Sequence, residues 1–129
     1  YMLDKFYSIQ SLTDQMNHQK HLFIIAENNQ RVPFGFASYA PHKDNNKIFH
    51  LHKIYVLPHQ QKSNTGTQLI QYIINDITVQ NATSLQLNVN RMNNAIHFYK
   101  KIGFNIIREE DIDIGHGYFM NDYVMEMQL

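Results

Sequence analysis

The sequence contains no cysteine, which excludes disulfides, thiolate nucleophiles and Cys-based zinc sites in one step. That fits the reducing, cytoplasmic location we expect. Net charge is missing as well: 11 Lys and Arg balance 11 Asp and Glu, so no chain-wide field draws the protein to nucleic acid or to an anionic membrane. Long apolar runs are also lacking. The strongest, such as Leu22 to Ala26, fall far short of the ~20 residues that span a bilayer. The expected partner is therefore a small molecule. Glycine is scarce, with 5 in 129 residues, and this scarcity bears on the one loop that carries most of the functional argument.

What is present suffices for one core: 43% of residues are apolar and 12% aromatic, enough for a single domain that buries roughly two-thirds of its unfolded surface. No repeat, low-complexity tract or linker divides the chain. Leu3, Phe6, Tyr7, Leu12 and Met16 carry helical spacing, so the chain is expected to open inside a helix whose earlier part lies upstream. "HLFIIAE" reads as a buried strand, "NNQ" as its turn and "VPFGFASYA" as the antiparallel return. Ile48 to Leu57 is a third strand ended by Pro58. Leu69, Ile70, Ile73, Ile74 and Ile77 mark one face of a helix, and "SLQLNVN" follows as a strand. Strand, helix and strand in that order call for a right-handed crossover and a parallel pair. A short helix from Asn94 to Ile102, stopped by Gly103, then leads to strands at Phe104 to Ile114 and Tyr123 to Gln128. The expected fold is α+β, a mixed and mostly antiparallel sheet with one parallel strand pair and flanking helices.

The order "HKIYVLP", "QQKSNTGT", amphipathic helix, "LQLNVNRMNNAIHFYKKIGF" is similar to the GNAT superfamily of acetyl-CoA-dependent N-acetyltransferases. "NNAIHFYKKIGF" resembles the family pattern N-x-A-x-x-F-Y-x-K-x-G-F most closely. The resemblance implies a single GNAT-like domain over residues 1–129, lacking the first strand and part of the first helices. It also implies that backbone N–H groups of the loop, pattern Q/R-x-x-G-x-G/A, hold the coenzyme's pyrophosphate at a helix N-terminus. Here Gln61 fills the first position, Asn64 replaces the first glycine and Gly66 keeps the second, while Lys62 stands where a further glycine is frequent. Anion capture rests on convergent backbone N–H groups and the positive helix end. Asn tolerates the left-handed backbone region better than most residues, so Asn64 is a workable substitute, and Lys62 adds a cation. Gln61, Lys62, Ser63, Asn64, Thr65, Gly66 and Thr67 are therefore candidate cofactor contacts. The same "SNTGT" run also reads as a plain helix cap.

The resemblance further implies that the pantetheine arm pairs with the backbone of Ile54, Tyr55 and Val56, the Val56 N–H facing the thioester oxygen. It likewise implies that the amine attacks the thioester directly in a ternary complex, so that positioning supplies much of the rate. A proton must leave an alkyl ammonium of pKa near ~10. No Glu stands on "IFHLHKIYV". By period two, His50 and His52 share a strand face with Ile54 and Val56, which makes His52, or a water it contacts, the candidate base. The other reading of the pattern is a partly exposed sheet histidine without such a role. Tyr99 is the general acid that the resemblance implies; otherwise it is a core aromatic with a wet hydroxyl. Asn93 or Asn94 is expected to touch the cofactor, and Lys101 to reach its adenosine-phosphate end.

Metal is not expected, because His50 and His52 have no third ligand at a recognisable spacing; His97 and His116 read as surface residues. "YSIQSL" and "GHGYFMNDYVME" resemble bacterial spermidine/spermine acetyltransferases. Glu109, Glu110, Asp111, Asp113 and Asp122 are either an acidic wall for such a polycation or a solvated strand edge. The expected partners are acetyl-CoA, as acyl donor, and a small amine, with a homodimer left open. Two rival classes remain: a catalytically weak acyl-CoA-binding regulatory module, and an interaction domain that binds no coenzyme.

Overall fold

The computed structural model describes residues 5–14, 19–28, 30–58 and 64–129. Among the described residues nine elements follow one another: strands Lys5–Asp14 (β1), Gln19–Glu27 (β2), Pro33–Pro41 (β3) and Ile48–Val56 (β4), helix Thr65–Val79 (α1), strand Ser84–Asn90 (β5), helix Ala95–Ile102 (α2), and strands Asn105–Gly115 (β6) and Tyr118–Gln128 (β7). The seven strands form one sheet in the order β1-β2-β3-β4-β5-β7-β6. Only β4 and β5 run parallel; every other neighbouring pair is antiparallel. This is the expected α+β architecture with its single crossover through α1.

Leu3 and Met16 lie outside the described residues, and among those described the expected helical turns at the start are not there. Residues 5–14 pair antiparallel with β2, from Lys5 opposite Glu27 to Asp14 opposite Gln19. "KFYSIQSLTD" is rich in aromatic and β-branched residues that suit a pleated sheet, and a ready antiparallel partner outweighs a short helical spacing that only a few residues carry. The last hairpin also differs. β7 begins at Tyr118 instead of Tyr123, because Gly115, His116 and Gly117 all take positive φ (98°, 56° and 79°) and complete the reversal within three residues.

The core lies between one sheet face and the helices. Leu69, Ile70, Ile73 and Ile77 of α1 are fully buried against Ile24, Ala37, Tyr39 and Leu51, each such side chain contributing roughly 1.5–3 kcal/mol. The Tyr39 hydroxyl donates to Asp76 Oδ2 at 2.6 Å, tying α1 to β3. α2 turns Ile96 and Tyr99 inward. It ends at Gly103, φ 130°, whose N–H bonds the carbonyls of Tyr99 and Lys100; that backbone angle favours glycine.

The register of β3 on β4 matters most for function. Ser38 pairs with Lys53 but Tyr39 pairs with Leu51, so the ladder skips His52. An extra residue in one strand is a β-bulge, which bends the strand and strengthens its twist. It also reverses the side-chain parity. Ile54 and Val56 pair with Ala37 and Gly35, on the core face with Leu51 and Phe49, whereas His50 pairs with Ala40 on the opposite face. The expectation that His50 and His52 share a face with Ile54 and Val56 is therefore overturned: strict period two fails across a bulge.

Candidate active site

The parallel ladder between β4 and β5 runs from Ile48 opposite Ser84 to Leu51 opposite Leu87 and stops there. Its last pair stands at the bulge. Beyond it the strands diverge around a cavity of about 400 Å³, with His52, Ile54 and Tyr55 on one wall and Asn88, Val89 and Asn90 on the other. Asn93 and Tyr99 complete the lining. A cleft opened between parallel strands leaves strand backbone available to an extended ligand.

The amides of β4 point usefully. Leu57 N donates to Phe34 O at 2.9 Å, toward β3. Because successive N–H groups of a strand alternate sides, the amide of Val56 turns the other way, toward the β5 side. Val56 also meets the start of α1: both its Cγ2 and Thr65 Cγ2 lie 3.6 Å from the point where Gly35 would carry a Cβ. The strand end and the helix start therefore converge.

At that helix start, Asn64 takes the left-handed conformation, φ 64° and ψ 13°, and forms no side-chain cap. Its carbonyl accepts the first intrahelical bond, from Gln68 N at 3.0 Å, so the amides before Gln68, including those of Gly66 and Thr67, precede the helix's own ladder. The first turn holds no acidic residue, which leaves the positive helix end uncompensated by side-chain charge. Thr65 is buried and Thr67 exposed. Gly66 packs against α2: a Cβ there would stand 3.1 Å from Phe98 Cζ. Gln61, Lys62 and Ser63 lie outside the described residues.

Tyr99 is 8% exposed, with its ring edge-on to Phe104 at 5.8 Å. Burial raises its pKa, so the phenol keeps its proton at neutral pH. His52 is exposed and lines the cleft, its ring 4.8 Å from that of His21 and 4.9 Å from that of His50. Its pKa is lowered, first by burial and then by His21 and Lys53. His50 is pushed down to about 4, chiefly by burial, then by His52, His42 and Arg108 against the opposing pull of Glu110. His50 and His52 are therefore neutral near pH 7. Among the described residues no group of three or more His, Asp or Glu is arranged to hold a metal ion.

Asn93 lines the cleft, and its Oδ1 accepts from Ala95 N at 2.8 Å, securing the start of α2. Asn94 and Lys101 are exposed and stand apart from the cleft lining. The acidic residues are engaged by neighbours within the fold. Arg91 pairs with both Glu109 and Asp111, Arg108 pairs with Glu110 at 3.0 Å, and Asp113 Oδ1 accepts from Gly115 N. Asp122 is buried behind Asn88. Asn88 itself escapes sequence reasoning, since its partners Glu110 and Asp122 lie 22 and 34 residues away.

Residues 2–126 match the acetyltransferase (GNAT) domain. The chain belongs to the GNAT acetyltransferase family. Solved structures share this GNAT fold. A nourseothricin acetyltransferase superposes with a TM-score of 0.73 at 21% identity, over 84% of this chain and 65% of its own. The IAA acetyltransferase from Bacillus cereus gives 0.73 at 16%, over 97% and 100%. The PaiA N-acetyltransferase from Thermoplasma acidophilum, solved in complex with coenzyme A, gives 0.69 at 23%, over 84% and 61%. This GNAT chain thus spans less than two-thirds of the first and third of these structures. No curated protein is similar to it in sequence. Among the described residues no helix is long and apolar enough to cross a membrane.

Proposed function

We propose that the protein transfers the acetyl group of acetyl-CoA to a small primary amine by direct attack in a ternary complex. The observation that carries this reading is the cleft between β4 and β5, opened at a bulge and lined by a buried, protonated Tyr99. Membership of the GNAT family supports it.

In this reading the pantetheine arm lies along Ile54, Tyr55 and Val56, on the side of β4 that faces away from β3. The Val56 N–H faces the thioester oxygen and stabilises the charge that develops there. The pyrophosphate rests on the amides that open α1, from Asn64 to Thr67, with Gln61, Lys62 and Ser63 leading into them. Asn93 contacts the cofactor, in preference to Asn94, because Asn93 lines the cleft. Lys101 serves the adenosine-phosphate end from the outer face of α2.

The amine's lone pair attacks the thioester carbon, the C–S bond breaks and the sulfur leaves as a thiolate. Tyr99 supplies the proton that the sulfur gains. The proton that nitrogen loses goes to His52, directly or through water. Bond formation makes the nitrogen far more acidic than the parent ammonium, so an imidazole of lowered pKa is a sufficient base. A polyamine acceptor is a weaker version of this reading: a polycation would compete with Arg91 and Arg108 for the same carboxylates.

The test is a thermal shift with acetyl-CoA beside thiol detection over a panel of amines. Ligand at a hundred times its dissociation constant stabilises by about 2.7 kcal/mol, so a clear upward shift and acetyl-CoA-dependent thiol release are expected. A shift with no release for any amine would favour a regulatory coenzyme-binding module. No shift would remove both.

A further inference from the structure

The β4/β5 ladder ends at Leu51 and Leu87. The next residues on the two strands are His52 and Asn88, so these two face each other across the apex of the cleft and both line it. The Asn88 side chain is held from behind. Its Nδ2 donates to Glu110 Oε1 at 3.2 Å and to Asp122 Oδ2 at 3.4 Å. Ionised carboxylates only accept hydrogen bonds, and a carboxamide nitrogen has two hydrogens to give. Both hydrogens are thereby engaged, and the orientation of the amide is determined by chemistry: nitrogen toward β6 and β7, carbonyl oxygen on the side that remains. Asn88 Oδ1 receives no hydrogen bond from any described residue, and Asn88 is exposed where it meets the cleft.

The carboxylates behind it are placed to keep that orientation. Hydrogen bonds from Arg108 and then Asn88 hold Glu110 below the usual carboxylate range, so it stays an acceptor at neutral pH. Asp122 is 3% exposed, and its Oδ1 is buried without a partner. Flipping the Asn88 amide would set its oxygen against the Glu110 carboxylate and give up both donor bonds.

We propose that Asn88 Oδ1 anchors the acceptor amine by accepting one of its N–H groups at the cleft apex, opposite His52, and that this contact selects primary over secondary amines. The inference rests on the acetyltransferase reading above. A primary amine has two hydrogens, one for Asn88 to hold and one for the base to remove, and its lone pair is then aimed between them. A secondary amine has one hydrogen and cannot satisfy both. As the C–N bond forms the nitrogen becomes cationic, so the retained N–H bond to Asn88 strengthens toward the transition state.

The test compares the intact protein with Asn88→Ala on tyramine and 2-phenylethylamine, each beside its N-methyl derivative, with thiol release as the readout. The expected result for Asn88→Ala is an approximately tenfold or greater fall in kcat/KM for whichever primary amine is turned over. Its discrimination against the N-methyl derivative narrows, and its thermal shift with acetyl-CoA is unchanged. Should Asn88→Ala not fold, Asn88→Thr repeats the test, because a β-branched side chain suits a strand but is too short to reach the amine. Unchanged kcat/KM and discrimination, or a lost acetyl-CoA shift in a folded variant, would overturn the assignment of Asn88. If the intact protein itself shows neither acetyl-CoA shift nor thiol release, the acetyltransferase reading fails, and this inference fails with it.

Discussion

Gly66 of α1 and Phe98 of α2 are in such close contact that a methyl group on the glycine would stand 3.1 Å from Phe98 Cζ. The glycine that resembles the family's second loop glycine is thus also where the two helices meet. Gly66→Ala forces the phenyl ring to give way, and overpacking of this kind costs about 1–3 kcal/mol. We predict a lower thermal midpoint for Gly66→Ala and substantial recovery in Gly66→Ala/Phe98→Leu. An unchanged midpoint in the single variant would mean that the ring moves freely.

Tyr99 is buried among Phe98 and Phe104 with its pKa raised, so removing only the oxygen leaves the packing in place. Tyr99→Phe is expected to melt like the parent and to bind acetyl-CoA, yet to lose at least about tenfold in turnover. Steady-state thiol release is the measurement, and full turnover would remove Tyr99 from the chemistry.

His52 should shape the acid limb of the pH–rate profile. Its pKa lies below the ordinary 6.5, so it is free base at neutral pH and becomes protonated only on acidification. The acceptor's own ionisation, near ~10 for an alkyl amine, gives a separate rise at high pH. His52→Gln is predicted to lower kcat/KM by at least about tenfold and to abolish the acid limb. A variant with the parent's rate and profile would reassign the base to water.

His50 links acidity to folding. In the folded protein its pKa is about 4, against an unperturbed 6.5. The unfolded chain therefore takes up a proton that the folded chain refuses, so stability is complete above pH 6.5 and declines as pH falls toward about 4. Melting scans should show a midpoint dropping between pH 7 and pH 4.5, with part of that drop missing in His50→Gln. Equal slopes for the two proteins would mean that His50 is not held neutral by the fold.

Much of this was legible in the residues because local pattern and final structure agree. The apolar face of α1 from Leu69 to Ile77 and the strand Ser84–Asn90 follow from periodicity, and the crossover follows from their order. Asn64 takes the left-handed backbone that its residue type tolerates, φ 64°. Other features depend on partners far along the chain. β1 is a strand because β2 offers it an edge, and a few residues of helical spacing carry too little free energy to resist. The bulge at His52 leaves no mark in "IFHLHKIYV", yet it sets which way His50 and Ile54 face. Likewise, the acidic run from Glu109 to Asp113 looks like a cation site until Arg91 and Arg108 are seen to engage it.

The central claim is that the divergence of β4 from β5 is a coenzyme slot. A crystal structure with saturating acetyl-CoA tests it most directly. The account predicts pantetheine density along Ile54 to Val56, between the two strands, with the pyrophosphate at the amides that open α1 and the thioester beside Tyr99. A coenzyme bound elsewhere, or absent while the strands close over the cleft, would contradict it.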